Sequence, residues 1–394
     1  MDFFSRLPAP LPLHIIQHLD KFEDLDALIR ASPDAYCTVR SNGYIILDSV
    51  ASTALTPELH NVLHSIARIR SQPVPRSLTT LESFRQTYAE NCEDDERRPG
   101  PFPRDAEPHV YMSLVRSAAN VRRLTALVLA ELLHRTSKLR VKHAVHRNID
   151  LAAGDMPQVP GADGSPIGEE VPAPHKRHPS WIECYRVQRA IWLLQLALDV
   201  RTHAPWLRWF ARGTSNPASQ PNRWPLNELK SWVHGPVDVH CVATTLQEVC
   251  VTKGIISQQG HSPPRMGFVS LERMPFYTGN RAVDCRLEDE SKEDDVGVSW
   301  SQDRDAAKHS SDGRRIFTHL ITSRPVQPIS PIIHKVMESG LVIWDRRRLF
   351  GMGLMDEPEP IEQGVKWWKR SPPRISDEVR YAWCSIYYDD EDIK

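Results

Sequence analysis

The sequence lacks the features of a secreted or membrane-spanning protein. Its seven cysteines are scattered and form no Cys-x-x-Cys pair, a pattern typical of reduced thiols rather than of a disulfide framework. No charged stretch followed by an apolar run of signal-peptide length occurs at the N-terminus, and charged residues interrupt long apolar stretches such as residues 121–133. We therefore expect a cytoplasmic or nuclear protein that has no membrane partner.

The sequence also has little net charge. The 49 basic residues nearly balance the 50 acidic ones, so the net charge of −1 does not steer the chain toward nucleic acid or anionic lipid, and we expect no nucleic-acid partner. Proline is abundant instead, because 32 prolines in 394 residues exceed the average usage of about 5%. Many loops joined by short ordered pieces are expected, in a mainly α-helical, irregular fold.

Recognisable catalytic motifs are absent too. We find no nucleophile elbow, phosphate-binding Walker loop, dinucleotide glycine fingerprint or zincin His-Glu pair. Two pairs of histidines, His143 with His146 and His175 with His178, have no further ligands at metal-binding spacing. The sequence therefore predicts no enzymatic activity, no metal and no cofactor.

A helical pattern is present at the N-terminus. Pro12 suits the first turn of a helix, where a missing N–H costs little, and Asp24 can cap a second helix. Apolar residues recur at helical spacing in the two segments: Ile15, Ile16 and Leu19, then Leu25, Leu28 and Ile29. Two such short helices cannot bury an apolar face alone, so either a partner or the rest of the chain must cover it.

These residues resemble an F-box motif. The segment opens with Leu7-Pro8, continues with apolar Ile15 and Leu19, and reaches an Asp-Leu step at Asp24 before the next helix. Residues 28–33, Leu-Ile-Arg-Ala-Ser-Pro, and the following segment 56–70 are similar to a set of fungal F-box-like proteins. The motif is assigned to residues 1–50 as an F-box-like helical hairpin.

The resemblance implies a non-catalytic substrate-recognition adaptor of a Skp-cullin-F-box ubiquitin ligase. Six residues would contact the Skp-type adaptor: Leu7, Pro8, Leu11, Ile15, Leu19 and Leu25. The rest of the chain would select an unknown target protein. The alternative is a stand-alone structural or interaction protein whose F-box-like hairpin packs on its own body, and a hydrolytic or metal-dependent activity is a third and weaker hypothesis.

Residues 51–394 are predicted to form a helical C-terminal body with poorly ordered loops near 92–108, 150–179 and 286–313. The clearest helix signals are Thr56-Pro57 at the start of a helix through residue 70, and a capping box of Ser180 and Glu183 before another. Further helices are expected over residues 113–146 and 236–254. Gly340 should end a helix before a buried segment, residues 341–344.

Two basic stretches remain as candidate binding residues. Tryptophans between basic residues can anchor a peptide, so Trp367, Trp368 and Arg370 are the best candidates for a partner surface. Residues 346–348, three consecutive arginines, could bind phosphate, although a solvated face with arginine stems over apolar surface is the simpler interpretation.

Overall fold

The computed structural model describes residues 3–8, 10–71, 102–144, 168–171, 178–207, 236–252 and 336–354, together with residues 313, 315, 316, 318, 379, 382, 383 and 386. This part is mainly α-helical, as predicted. Its regular elements are a 3-10 turn at Phe4–Arg6, α1 Pro10–Gln17, α2 Phe22–Ala31, α3 Pro33–Ala54, α4 Pro57–Arg70, α5 Pro108–Thr136, β1 Val141–Ala144, β2 Gly168–Val171, α6 Trp181–Leu207, α7 Pro236–Thr252 and α8 Arg346–Gly351. None of the helices in these ranges has the length and hydropathy needed to cross a bilayer.

The chain divides into two compact units. The first comprises Met1–Thr125, Gln188–Val233 and Cys250–Asn280, and the second comprises Ala126–Val187, His234–Val249 and Arg281–Lys394. Helix α3 passes through residue 50, where the sequence placed the end of the F-box-like motif. The described structure therefore has no break between that motif and the residues that follow it.

Helix α3 is the element against which the first two helices of the first unit pack. The Ser32 hydroxyl accepts a hydrogen bond from the Ala35 N–H at 3.0 Å, and Pro33 occupies the first position, so both residues favour a helix start. The helix is 22 residues long and has a kink at Asn42.

Next to the kink, α3 approaches the first turns of α5 closely. Gly43 is buried against the ring of Tyr111, and a Cβ atom at position 43 would overlap that ring. The Tyr111 hydroxyl donates a hydrogen bond to the Pro103 carbonyl, which fixes the ring in place. Glycine is thus required here for space, and the distance between α3 and α5 depends on it.

Helix α4 has the predicted N-terminus, since Thr56 Oγ1 accepts from the Leu59 N–H at 3.4 Å and Pro57 comes first. The helix is nevertheless buried on every side, and its polar residues His60, Asn61, His64 and Arg70 are buried with its apolar ones. The imidazole rings of His60 and His64 lie 5.6 and 5.3 Å from the ring of Phe102. The helix predicted over residues 56–70 is therefore a central one, with its polar residues buried as well.

Arg70, at the end of α4, forms a buried ion pair with Asp199 on α6. Its Nε and Nη2 donate to the two Asp199 carboxylate oxygens at 2.8 and 2.9 Å, while Nη1 donates to Ser113 Oγ on α5 at 2.9 Å. Gln195 Nε2 donates to the same carboxylate at 2.7 Å. Three helices of the first unit are therefore joined by one satisfied polar cluster.

The second unit contains a comparable pair around the predicted capping box. Ser180 and Glu183 cap each other, since Ser180 N–H donates to Glu183 Oε2 at 3.0 Å and Glu183 N–H donates to Ser180 Oγ at 3.4 Å. Arg348 donates to both oxygens of the buried Glu183 at 2.8 and 2.9 Å. Burial and the nearby Asp345 raise the pKa of Glu183, and Arg348 opposes that rise. Arg348 is therefore a structural residue rather than a phosphate ligand.

The region between α5 and α6 differs from the prediction. Helix α5 begins at Pro108 and ends at Thr136, so it does not extend to residue 146. Residues of β1 pair antiparallel with β2, which lies inside the predicted loop 150–179. The register places Lys142 opposite Glu170 and His143 opposite Glu169.

Two shorter predictions in the second unit are confirmed. Gly340 has a positive φ of 74° after the helical residues 336–338, a conformation that ends helices and suits glycine. The following segment, residues 341–344, is completely buried. The Trp344 indole N–H donates to Thr136 Oγ1 at 2.9 Å, so the segment is attached to the end of α5.

Substituting Gly43 by alanine tests the close approach of α3 and α5. Gly→Ala inside a helix ordinarily stabilises by about 1 kcal/mol, but here the added methyl group meets the Tyr111 ring, and we expect a loss of about 1–3 kcal/mol. Denaturant unfolding followed by circular dichroism measures the change. In a Tyr111→Ala background the same substitution should be neutral or stabilising. Destabilisation of equal size in both backgrounds would show that the ring is not the cause.

Removing one partner of the Arg70–Asp199 pair should be costly. Arg70→Met leaves a buried carboxylate without its cation, and we expect about 3–5 kcal/mol of lost stability. The double variant Arg70→Met, Asp199→Asn should recover at least half of that loss, because no charge is then buried. Arg116→Met, at an exposed position of α5, is the control and should change stability by less than about 0.5 kcal/mol.

Candidate protein-interaction surface

The residues predicted to contact an adaptor fall on both sides of the N-terminal hairpin. Leu11 and Ile15 are 43% and 41% exposed and lie four residues apart on one face of α1. We call these two residues the α1 face. Pro8, just before the helix, is exposed, while Leu7 and Leu19 are half-buried. Five of the six predicted side chains, including both residues of the α1 face, are thus at least partly accessible.

Leu25 behaves differently from the other predicted residues, because it is completely buried. With Ile16 and Phe22, it forms the inner side of the hairpin, which belongs to the core of the first unit. Helices α1 and α2 both pack against α3, so the chain itself covers this side. Leu25 therefore stabilises the hairpin and is not available to a partner in this conformation.

Polar contacts fix the hairpin as well. Ser49 Oγ on α3 donates to the Gln17 carbonyl at the end of α1 at 2.8 Å. On α2, Glu23 pairs with Arg122 of α5 at 3.2 Å, and the buried Asp26 lies 3.1 Å from Arg30 and 3.8 Å from Arg123. Burial raises the pKa of Glu23, while Arg122 lowers it. The α1 face is therefore carried by a hairpin that is anchored to α3 and α5.

Two exposed aromatic residues did not emerge from the sequence pattern. Phe3 is 68% exposed and Tyr36 is 42% exposed. Phe3 precedes the first helix, outside the spacing of the F-box-like motif, and its ring contacts that of Phe4 edge to face. The sequence pattern around Tyr36 does not show which residues of that segment face the core, so the exposure of Tyr36 could not be predicted. Its position on α3 became clear only from the structure.

Several other candidate residues lie outside the described part of the chain. Trp367, Trp368 and Arg370 lie outside the described residues, as do His146 and His175. His143 belongs to β1, and His178 lies just before α6. Within the described ranges, no group of three or more His, Cys, Asp or Glu side chains is placed to hold a metal ion. The predicted loops 92–108 and 286–313 are described only from residue 102 and at residue 313.

Asp26 provides a test of how the hairpin is anchored. Asp26→Asn removes the charge that holds Arg30 and Arg123, and we expect a loss of about 1–3 kcal/mol in the free energy of unfolding. The control is Asp24→Asn, an exposed position on the same helix, where the loss should stay below about 1 kcal/mol. Equal effects at the two positions would mean that the charge near the helix start, rather than the anchoring, is responsible.

Comparison with protein-family models, with curated proteins and with solved structures gives no match to this chain. Its function must therefore be inferred from its own residues. They combine an exposed apolar face on α1, a buried inner side that fixes the helix, and a sequence that resembles an F-box over the same segment.

Proposed function

We propose that this chain is a non-catalytic substrate-recognition adaptor of a Skp-cullin-F-box ubiquitin ligase. The α1 face would bind the Skp-type adaptor, and other parts of the chain would hold a target protein. The observation that carries the proposal is the exposure of Leu11 and Ile15 on a helix whose opposite side is fixed in the core. Both residues belong to the set that the F-box resemblance assigns to adaptor binding.

Part of the apolar surface of α1 remains exposed to solvent. Full burial of a leucine or isoleucine side chain contributes about 1.5–3 kcal/mol, and part of this remains to be gained at both positions. Helix α1 contains no Lys, Arg, Asp or Glu, so a partner groove need not neutralise a charge on it. Because the helix is already formed and anchored, docking orders little of the chain and loses little affinity to that cost. An apolar groove receiving one helix is a common mode of recognition.

The proposal also bears on catalysis, localisation and target binding. Ubiquitin transfer would belong to the partner proteins, so this chain would need no catalytic residue or cofactor, and it would act in the cytoplasm or nucleus with the ligase. The unknown target could bind at the tryptophan and arginine stretch that includes Trp367, Trp368 and Arg370. Aromatic side chains beside arginine are frequent anchors in such surfaces.

The alternative is a stand-alone structural or interaction protein, and it has an observation of its own. Ile16, Phe22 and Leu25 pack on the chain's own helices, and two ion pairs attach α2 to α5. The hairpin is therefore stabilised from within. The two hypotheses differ only in whether the α1 face is covered by an adaptor.

Co-purification distinguishes them. Tagged wild-type protein, expressed with the Skp-type adaptor of the same source, should retain that adaptor, and the variant Leu11→Asp, Ile15→Asp should lose it because two charges would enter an apolar groove. Both side chains are exposed, so the variant should keep the helical circular dichroism of the wild type. The matched control is Ala27→Asp, Ser41→Asp, which adds the same charge at exposed positions of α2 and α3.

Retention of the adaptor by wild type and control, but not by the α1 variant, would support the proposal. Failure of the wild-type protein to retain the adaptor would overturn it and favour the stand-alone alternative. Equal retention by all three proteins would also overturn it, because the contact would then lie elsewhere.

A further inference from the structure

A groove of about 670 Å³ lies in the first unit, between the first turns of α3 and those of α5. It is distinct from the α1 face. Two residues of α3 and four of α5 form most of its lining: Tyr36, Arg40, His109, Met112, Ser113 and Arg116. Those of α5 follow one another at helical spacing, so they form one continuous face. Glu107 and Pro108 complete the lining at the start of α5.

The walls of the groove are held in place by buried contacts. The close approach of Gly43 to Tyr111 sets the distance between α3 and α5. Ser113 accepts a hydrogen bond from Arg70 at 2.9 Å and donates one to the Val110 carbonyl at 2.8 Å. The lining residue Ser113 is thereby connected to the Arg70–Asp199 pair. The groove is a preformed feature of the fold, as small binding sites generally are.

The charges of the groove favour an acidic ligand. Arg40 and Arg116 are exposed, and within the described part of the chain neither has a carboxylate partner. Glu107 is the acidic residue among the described residues of the lining, and its Oε2 already lies 3.0 Å from His109 Nδ1. Two guanidinium groups thus remain for a ligand, and arginine binds carboxylates through paired hydrogen bonds.

The apolar part of the lining favours a peptide over a small anion. Tyr36 is 42% exposed, and Met112, which also lines the groove, is half-buried. Methionine adapts its shape to different apolar groups. The volume falls within the range of about 300–1,000 Å³ that is usual for ligand sites, which is more than an isolated carboxylate needs.

We infer that this groove binds an acidic peptide segment of a protein partner. Its carboxylates pair with Arg40 and Arg116, and a neighbouring apolar side chain packs on Tyr36 and Met112. The inference rests on the proposed function only in identifying the segment as part of the target. The net charge of −1 gives the chain no field that would draw in nucleic acid instead.

Fluorescence anisotropy with a defined probe tests this site in the full-length protein. The probe is a fluorescein-labelled peptide, Glu-Asp-Glu-Leu-Glu-Asp-Glu, and its charge-reversed counterpart is Lys-Arg-Lys-Leu-Lys-Arg-Lys, both at low ionic strength. Wild type should bind the acidic peptide and not the basic one. Arg40→Glu, Arg116→Glu should weaken binding by about tenfold or more, because two charge-assisted contacts become repulsive.

The matched control is Lys138→Glu, Arg140→Glu, which makes the same change in charge at exposed positions outside the groove. Its affinity for the acidic peptide should equal that of wild type, and unfolding curves should show that all three proteins are folded. Absence of binding by wild type, equal weakening in the control, or tighter binding of a single-stranded oligonucleotide than of the peptide would each overturn the inference.

The test is independent of adaptor docking. Leu11→Asp, Ile15→Asp should bind the acidic peptide like wild type, and Arg40→Glu, Arg116→Glu should retain the Skp-type adaptor. Failure of the groove and failure of the proposed function therefore give different results.

Discussion

The first unit depends on the buried pair of Arg70 and Asp199. The two residues are 129 positions apart, and both side chains are almost completely buried. Charges are tolerated at such depth only when each is paired and hydrogen-bonded, and here Ser113, Ser117 and Gln195 satisfy the remaining polar groups. Few arrangements of α4, α5 and α6 can meet that requirement. The pair therefore selects one packing of these helices, whatever its net contribution to stability.

The position of the N-terminal hairpin depends on the position of α5. Arg122 and Arg123, which hold Glu23 and Asp26, lie on the same helix as Ser113. Once α5 is positioned, α2 has one favourable place, and α1 follows because it shares α3 with α2. Because these contacts fix the inner side of the hairpin, Leu25 is buried while Leu11 and Ile15 are exposed. The inner residues hold the helix, and the outer ones remain exposed.

Local signals in the sequence predicted the structure correctly, whereas features that depend on residues distant in the chain could not be predicted. The Thr56 cap, the Ser180–Glu183 box and the turn at Gly340 involve residues only a few positions apart, so their types suffice. His60 and Arg70 look like exposed polar residues until Phe102 and Asp199 are brought against them. The groove was equally hidden, because it joins residues near 36–40 with residues near 107–116. The pairing of β1 with β2 also depends on residues far apart in the chain.

Helix α3 links the two proposed binding surfaces. One part of it supports the hairpin, and its first turns contribute Tyr36 and Arg40 to the groove. Next to the kink at Asn42, the absence of a side chain at Gly43 lets α5 approach α3 closely. A change in the core of α3 should therefore disturb both surfaces together, because it moves the scaffold that carries them. Changes at exposed positions of α1 or of the groove should remain separate, since no described contact joins the α1 face to Arg40 or Arg116. The proposed function needs this independence, because an adaptor and a target would then have to be held at the same time.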